Sequence, residues 1–325
     1  MQIPLLRLLL TCPAMAGMCL VAMASAQAQE SPHIAPANQG DDSSVEAART
    51  AVRSASEWLA SGVDSWFGSK PFSEGGEVTD GQIGLYWYRR QDQAGDLSVQ
   101  FNARFKLPNL EAKTYLFTGR DNWQGLITDQ PAAFATKRRL SQTDASADRS
   151  LVVGIGRFVG ETTDMRIGFK DGLTLFAQGR YRHQWRPTAE DEFEFSETVF
   201  LTTADRLGSS SMFSYQHKFS PALAARWLNV VTVSQVDPKA EWNGSLGIYR
   251  SFGLQRSLSL EILASSKQGP GPFLNDYGLQ IRWEQPVDHN RLLGEVIVGR
   301  FWPQLEDASV RSSAWALGAG LKMNF

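Results

Sequence analysis

The chain has 325 residues, a net charge of −2 and 42% apolar residues; it shows no basic cluster interleaved with aromatics, which argues against nucleic acid as a partner. Beyond the N-terminus no apolar run reaches the roughly 18 to 20 residues that a spanning helix needs, which excludes a helical membrane protein. Both cysteines, Cys12 and Cys19, fall in the first 28 residues, so the rest of the chain can form no disulfide, zinc–thiolate site or cysteine nucleophile.

Arg7, the apolar run Leu8 to Met23 and the small residues around Ala24, Ala26 and Ala28 predict a cleavable secretory signal over 1–28. The span 29–78 follows as a leader whose first part is polar, Pro-containing and without periodicity. Within it, Ser43 and Glu46 have capping-box spacing, and Val45, Ala48, Val52, Ala55, Leu59, Gly62 and Trp66 recur in steps of three and four. The spacing predicts an amphipathic periplasmic helix over about 43–68, stopped by Gly68 and Pro71. Such a stripe must be buried somewhere, either against the mouth of the main domain or against a periplasmic partner.

From residue 79 to the C-terminus the period is two. Leu97, Val99, Phe101, Ala103 and Phe105 alternate with Ser98, Gln100, Asn102, Arg104 and Lys106, and Leu279, Ile281 and Trp283 alternate with Gln280, Arg282 and Glu284. Segments near 81–90, 97–107, 112–118, 150–158, 164–170, 173–186, 191–204, 209–219, 222–236, 240–252, 256–266, 275–285, 290–302 and 311–325 make about fourteen strands; twelve result if 150–170 folds otherwise. Backbone groups in lipid must all be paired, so strands with one apolar and one polar face imply an all-β fold, a closed antiparallel up-and-down barrel over 79–325 with its apolar face toward lipid. Pro108-Asn109, Ser220-Pro221, Gly253 to Gln255 and Pro286 to Asp288 read as the short turns at the end that holds both termini. The long polar stretch 119–149 and the Pro-containing segments at 237–238, 269–272 and 303–309 belong to the opposite end. Trp87, Trp185, Trp227, Trp242, Trp283, Trp302 and Trp315 fall toward strand ends, where aromatic girdles meet headgroups.

The last strand places Trp315, Leu317, Ala319, Leu321, Met323 and Phe325 on one face and ends on that phenylalanine. It resembles the closing strand of Gram-negative outer-membrane β-barrel proteins. The resemblance covers about 80–325 as a pattern and implies that Trp315, Leu317, Leu321, Met323 and Phe325 carry the signal read by the barrel-assembly machinery, with outer-membrane lipids and lipopolysaccharide as surroundings.

Arg104, Lys106, Arg180, Arg182, Arg282 and Glu284, with Glu194 and Glu261, are expected to line the lumen. Arg180, Arg182 and Arg104 would form a positive rung in a porin-like channel for small polar solutes, or else the charges pair across the lumen and fill it. The alternative class is a non-conducting anchor whose helix over 43–68 docks a periplasmic partner. A lipid-modifying enzyme is the third, and it fits poorly. Of the four histidines, His33 lies in the leader and His289 in a turn, His183 shares the lipid-facing parity, and His217 lacks the His-x-Ser pattern of the outer-membrane phospholipases. The acidic run Glu190, Asp191, Glu192 and Glu194 reads as a solvated face rather than a metal site. No catalytic residue, metal or cofactor is expected.

Overall fold

A computed structural model describes residues 40–65, 67–111, 113–120, 151–171, 174–203, 206–253, 256–267, 274–288, 292–304 and 311–325. The expected signal and leader up to residue 39, most of 119–149, His289 and Trp66 lie outside these residues.

A helix, α1 (Gly40–Asp64), precedes the strands β1 (Glu77–Arg90), β2 (Asp96–Lys106), β3 (Thr114–Arg120), β4 (Leu151–Val159), β5 (Thr163–Lys170), β6 (Thr174–Trp185) and β7 (Asp191–Thr202). The chain continues through β8 (Arg206–Ser220), β9 (Leu223–Ser234), β10 (Glu241–Ser251), β11 (Ser257–Lys267), β12 (Asp276–Asp288), β13 (Leu292–Phe301) and β14 (Ala314–Asn324). Each strand pairs antiparallel with its sequence neighbours, and β1 closes on β14 with Gln82 opposite Asn324 and Arg90 opposite Ala316. Closure leaves no open edge, the condition for placing strands in hydrocarbon. The region in doubt, 150–170, folds as the hairpin β4–β5, which settles the count at fourteen. Asp171 enters the next turn with φ 51°, a left-handed conformation that Asp tolerates better than most residues.

The period of two sorts the side chains as expected. Leu97, Met165, Ile167, Leu201, Ile262 and Ile281 face outward and are exposed, while Ser98, Arg166, Gln178, Thr202, Glu261 and Gln280 face inward and are buried. The outer wall carries aromatic clusters toward both ends. Trp185, Phe193, Phe213, Tyr215 and Trp227 stack at the end where β1 begins and β14 finishes, here the terminal end. At the other end Tyr277 stacks on Trp302, and Arg300 lies over Trp302 and Trp315. Glutamate also occurs within the apolar wall. Glu197 has outward parity and accepts hydrogen bonds from Ser209 and Ser211 on the neighbouring strand, so its charge is met within the sheet.

The helix is present, but two details differ from the sequence reading. It starts at Gly40, so Ser43 lies inside it and is not its N-cap. Its buried face is formed by Ser56, Ala60 and Asp64, one turn apart, whereas Ala48 and Ala55 of the expected stripe are exposed. Ala60 packs into a cluster with Ala103, Phe105, Leu107 and Leu116, joined by Val63, Phe72, Phe101 and Phe325. Ala103, Phe105 and Leu116 share the parity of outward-facing Val99, so the C-terminal turn of α1, at Ala60 and Val63, meets the outer face of β2 and β3 rather than the barrel mouth. Small and polar residues serve here because the strand side chains, above all Phe105, already fill the contact and only a thin helix face fits against them.

Candidate functional site

Inward parity brings every expected lumen residue to the inside of the barrel, and the pairing register decides what each one meets. On β3 to β6 the focus is a single carboxylate. Asp164 accepts from the Tyr115 hydroxyl at 2.7 Å, from Arg166 at 2.9 Å and from Arg180 at 2.8 Å. The Tyr115 ring in turn lies 4.8 Å under the Arg104 guanidinium on β2, and Arg166 lies 5.4 Å from the Phe117 ring. Three guanidinium groups thus surround one carboxylate, so this arc of the wall has an excess of positive charge.

Around β10 to β13 the balance is reversed. Arg282 lies 3.4 Å from Glu295 and 4.0 Å from Glu284, Ser257 donates to Glu284 at 3.0 Å, and Glu261 accepts from Tyr249 and Gln280. Here three carboxylates share one guanidinium. In the ring order the two arcs occupy opposite sides, with β4 and β11 half a circuit apart. Arg226 on β9 and Lys322 on β14 flank the acidic arc and partly offset it.

The expected positive rung is therefore corrected in part. Arg166 and Arg180 both pair with Asp164 and Arg182 lies 3.3 Å from Glu194, so none of the three stands as an isolated charge; Arg166 was not singled out by the sequence. Lys106 ends β2 at the terminal end and is exposed. Arg90, Tyr115, Asp164, Asp276 and Glu295 were also missed, although each carries the inward parity that could have found it. Arg90 bridges Asp92 and Asp276 at 2.6 and 2.7 Å.

Uncharged polar side chains lie among and beside the charged ones. Gln100 Nε2, Asn102 Oδ1, both amide atoms of Gln178, Thr198 Oγ1 and Gln280 Oε1 are buried and have no hydrogen-bond partner within the protein. The inward aromatics do not stand up into the lumen. A Cβ added to Gly156 would lie 2.3 Å from the Tyr115 ring, one on Gly208 would lie 2.3 Å from the Phe200 ring, and one on Gly318 would lie 2.6 Å from the Tyr88 ring. Each ring therefore lies flat on the wall over a glycine of a neighbouring strand.

Trp315, Leu317 and Leu321 face outward and are exposed, Met323 is buried, and Phe325 stacks on Phe101 with ring centroids 6.0 Å apart. Gly81 makes room for it, since a Cβ there would lie 2.6 Å from the Phe325 ring. His183 stacks between Tyr181 and Trp185 on the outer wall. His217 Nδ1 lies 2.8 Å from Asp191, which also accepts from Tyr215 and Thr188, while Glu192 and Glu194 pair with Arg186 and Arg182. Among the described residues no group of three metal-ligating side chains converges.

No family model matches the sequence. No curated protein matches it either. Among solved structures the chain is similar to the outer membrane channel DcaP of Acinetobacter baumannii, at 8% identity over 79% of this chain and 99% of that one, with a TM-score of 0.46. It is similar also to an anion-selective porin from Comamonas acidovorans, at 8% identity over 77% and 100% with a TM-score of 0.43. A third is the KdgM porin, at 8% identity over 75% and 99% with a TM-score of 0.34. A likeness of this degree lies in barrel architecture and decides nothing about what crosses the barrel.

Proposed function

We propose that the protein is a porin-like channel of the Gram-negative outer membrane, giving small polar solutes a passive aqueous path. The observation that carries this reading is the closed fourteen-strand barrel whose apolar side chains face outward while Arg104, Asp164, Arg166, Gln178, Arg180, Glu261 and Arg282 face the interior. A buried polar atom without a partner costs about 1–3 kcal/mol, so Gln100, Asn102, Gln178, Thr198 and Gln280 call for individual waters bound against the inner wall. Rings lying flat over Gly156, Gly208 and Gly318 keep apolar bulk against the wall. Opposed charged arcs then act on whatever passes: a dipolar or anionic solute is oriented by Arg104 and Arg166 on one side and by Glu261 and Glu284 on the other.

The test is single-channel conductance of the refolded protein in a planar bilayer, with selectivity taken from a salt gradient. The expected result is a stable conductance whose preference moves toward cations when Arg104 and Arg180 are both changed to Gln. A folded barrel that stays silent overturns the channel reading.

A further inference from the structure

The fold leaves one amphipathic surface unmatched. At about 100° per residue, Ala48, Ala51, Ala55, Trp58 and Gly62 form a stripe centred roughly 160° round α1 from the Ser56–Ala60–Asp64 face that meets the barrel. All five are exposed, and Trp58 presents 71% of its surface. The charged residues stay off this stripe: Arg53, paired with Glu57 at 2.8 Å, lies on the side of the helix that turns toward the barrel, and Thr50 and Ser61 follow at about 80–100° from the Ser56–Ala60–Asp64 face. So the polar and charged side chains of α1 lie toward the barrel and to one side of it, and among the described residues nothing covers the apolar stripe.

What covers the third face follows from where the helix sits. Its C-terminal turn lies on the outer wall at the terminal end, the wall that β4 and β5 continue with Val159, Met165 and Ile167, exposed and apolar. A segment fixed to that wall borders the medium that the wall itself faces. Given the membrane reading of the barrel, on which this inference rests, that medium at the terminal end is the boundary between headgroups and acyl chains. A helix with a charged face and an apolar face tipped by tryptophan is suited to lie in this boundary.

We propose that α1 is a membrane-surface helix: its Ala48–Ala51–Ala55–Trp58 face binds the phospholipid leaflet beside the barrel, while Ser56, Ala60 and Asp64 hold it to β2 and β3. The lock at its end supports such a role. Asp64 is gripped by Asn109 at 2.7 Å, and Asn109 also accepts from the Lys70 amide at 3.0 Å, so the helix is fixed in rotation and its apolar face has a set direction.

The absence of cysteine after Cys19 makes the test direct. Single substitutions Ala51→Cys, Ala55→Cys and Trp58→Cys on the apolar face, Thr50→Cys and Ser61→Cys on the charged side, and Leu260→Cys and Leu279→Cys on the barrel wall are each given a nitroxide. The proteins are refolded into phosphatidylethanolamine–phosphatidylglycerol vesicles, and collision with oxygen is compared with collision with a water-soluble nickel chelate. The expected result is an oxygen-to-nickel ratio at 51, 55 and 58 well above that at 50 and 61 and close to that at 260 and 279. Equal, nickel-accessible labels along the whole helix, with 260 and 279 in lipid, overturn the helix proposal alone. Labels at 51, 55 and 58 shielded from both reagents overturn it in favour of a protein partner. Nickel access at 260 and 279 instead overturns the membrane reading of the barrel.

Discussion

Asp64, buried with 1% of its surface exposed at the end of α1, receives both the backbone amide and the side-chain amide of Asn109 in the β2–β3 turn, at 3.2 and 2.7 Å. The same asparagine exchanges two further bonds with the Lys70 backbone, and a Cβ on Gly68 would lie 2.3 Å from its oxygen. One side chain thus joins the helix, the linker and the barrel.

Replacing Asn109 with Ala removes the side-chain donor to a buried carboxylate and should weaken this junction by about 1–3 kcal/mol. Limited proteolysis of the linker between α1 and β1 should become faster, while the heat-modifiable gel mobility of the barrel stays as in the parent. An unchanged cleavage rate would show that the apolar cluster around Ala60 and Phe105 holds the helix without the lock.

The two faces of a strand should respond differently to charge. Leu279→Arg and Leu260→Arg put a guanidinium on the exposed outer wall and should cost about 2 to 4 kcal/mol near the bilayer midplane. Gln100→Arg adds the same group to the polar interior and should be far milder. Denaturant titration of the barrels in vesicles measures both; equal costs would refute the assignment of the faces.

Asp164 is the carboxylate that Arg166 and Arg180 share. Asp164→Asn leaves buried guanidinium groups without their counter-charge, a change that typically costs about 3–5 kcal/mol; contact with lumen water should bring it toward the lower figure. The surviving barrels should prefer anions more strongly than the parent, read as a shift in reversal potential. A loss of stability with unchanged selectivity would mean that permeating ions do not pass this cluster.

Gly318→Ala tests the flat rings. The added methyl would lie 2.6 Å from the Tyr88 ring, and the other near neighbour, Ile297 Cβ, is 3.5 Å away, so the ring is what must give. It should tip inward and lower the single-channel conductance, with little change in folding. A Tyr88→Ala, Gly318→Ala double variant should recover the conductance.

The strands were legible in the sequence to within a few residues, because a side chain's parity along a strand is fixed by backbone geometry and both media leave their mark on it. Leu97, Val99 and Phe101 against Ser98, Gln100 and Asn102 state a two-sided wall with no partner in view. The inward cast of Arg104, Arg180, Arg182, Arg282 and Glu284 followed from the same rule. Evenness, short turns at one end and tryptophans near strand ends made closure the consistent reading.

Partnership was not legible, because it depends on register. Nothing local to Asp164 announces Tyr115 or Arg180; they meet because Gly156 pairs with Arg166, and Asp164 pairs with Arg180. That register turned the expected positive rung into one arc of an opposed pair. The helix shows the same division from the other side. Its periodicity predicted an apolar stripe, but periodicity cannot say which face a neighbour will take, and the contact went to Ser56, Ala60 and Asp64. The sequence by itself determined the alternation, the strand count and the two-sided wall, since these are properties of single segments. Only the tertiary structure decided which charges neutralise one another and which face of α1 is left bare, since both arise from distant segments brought side by side.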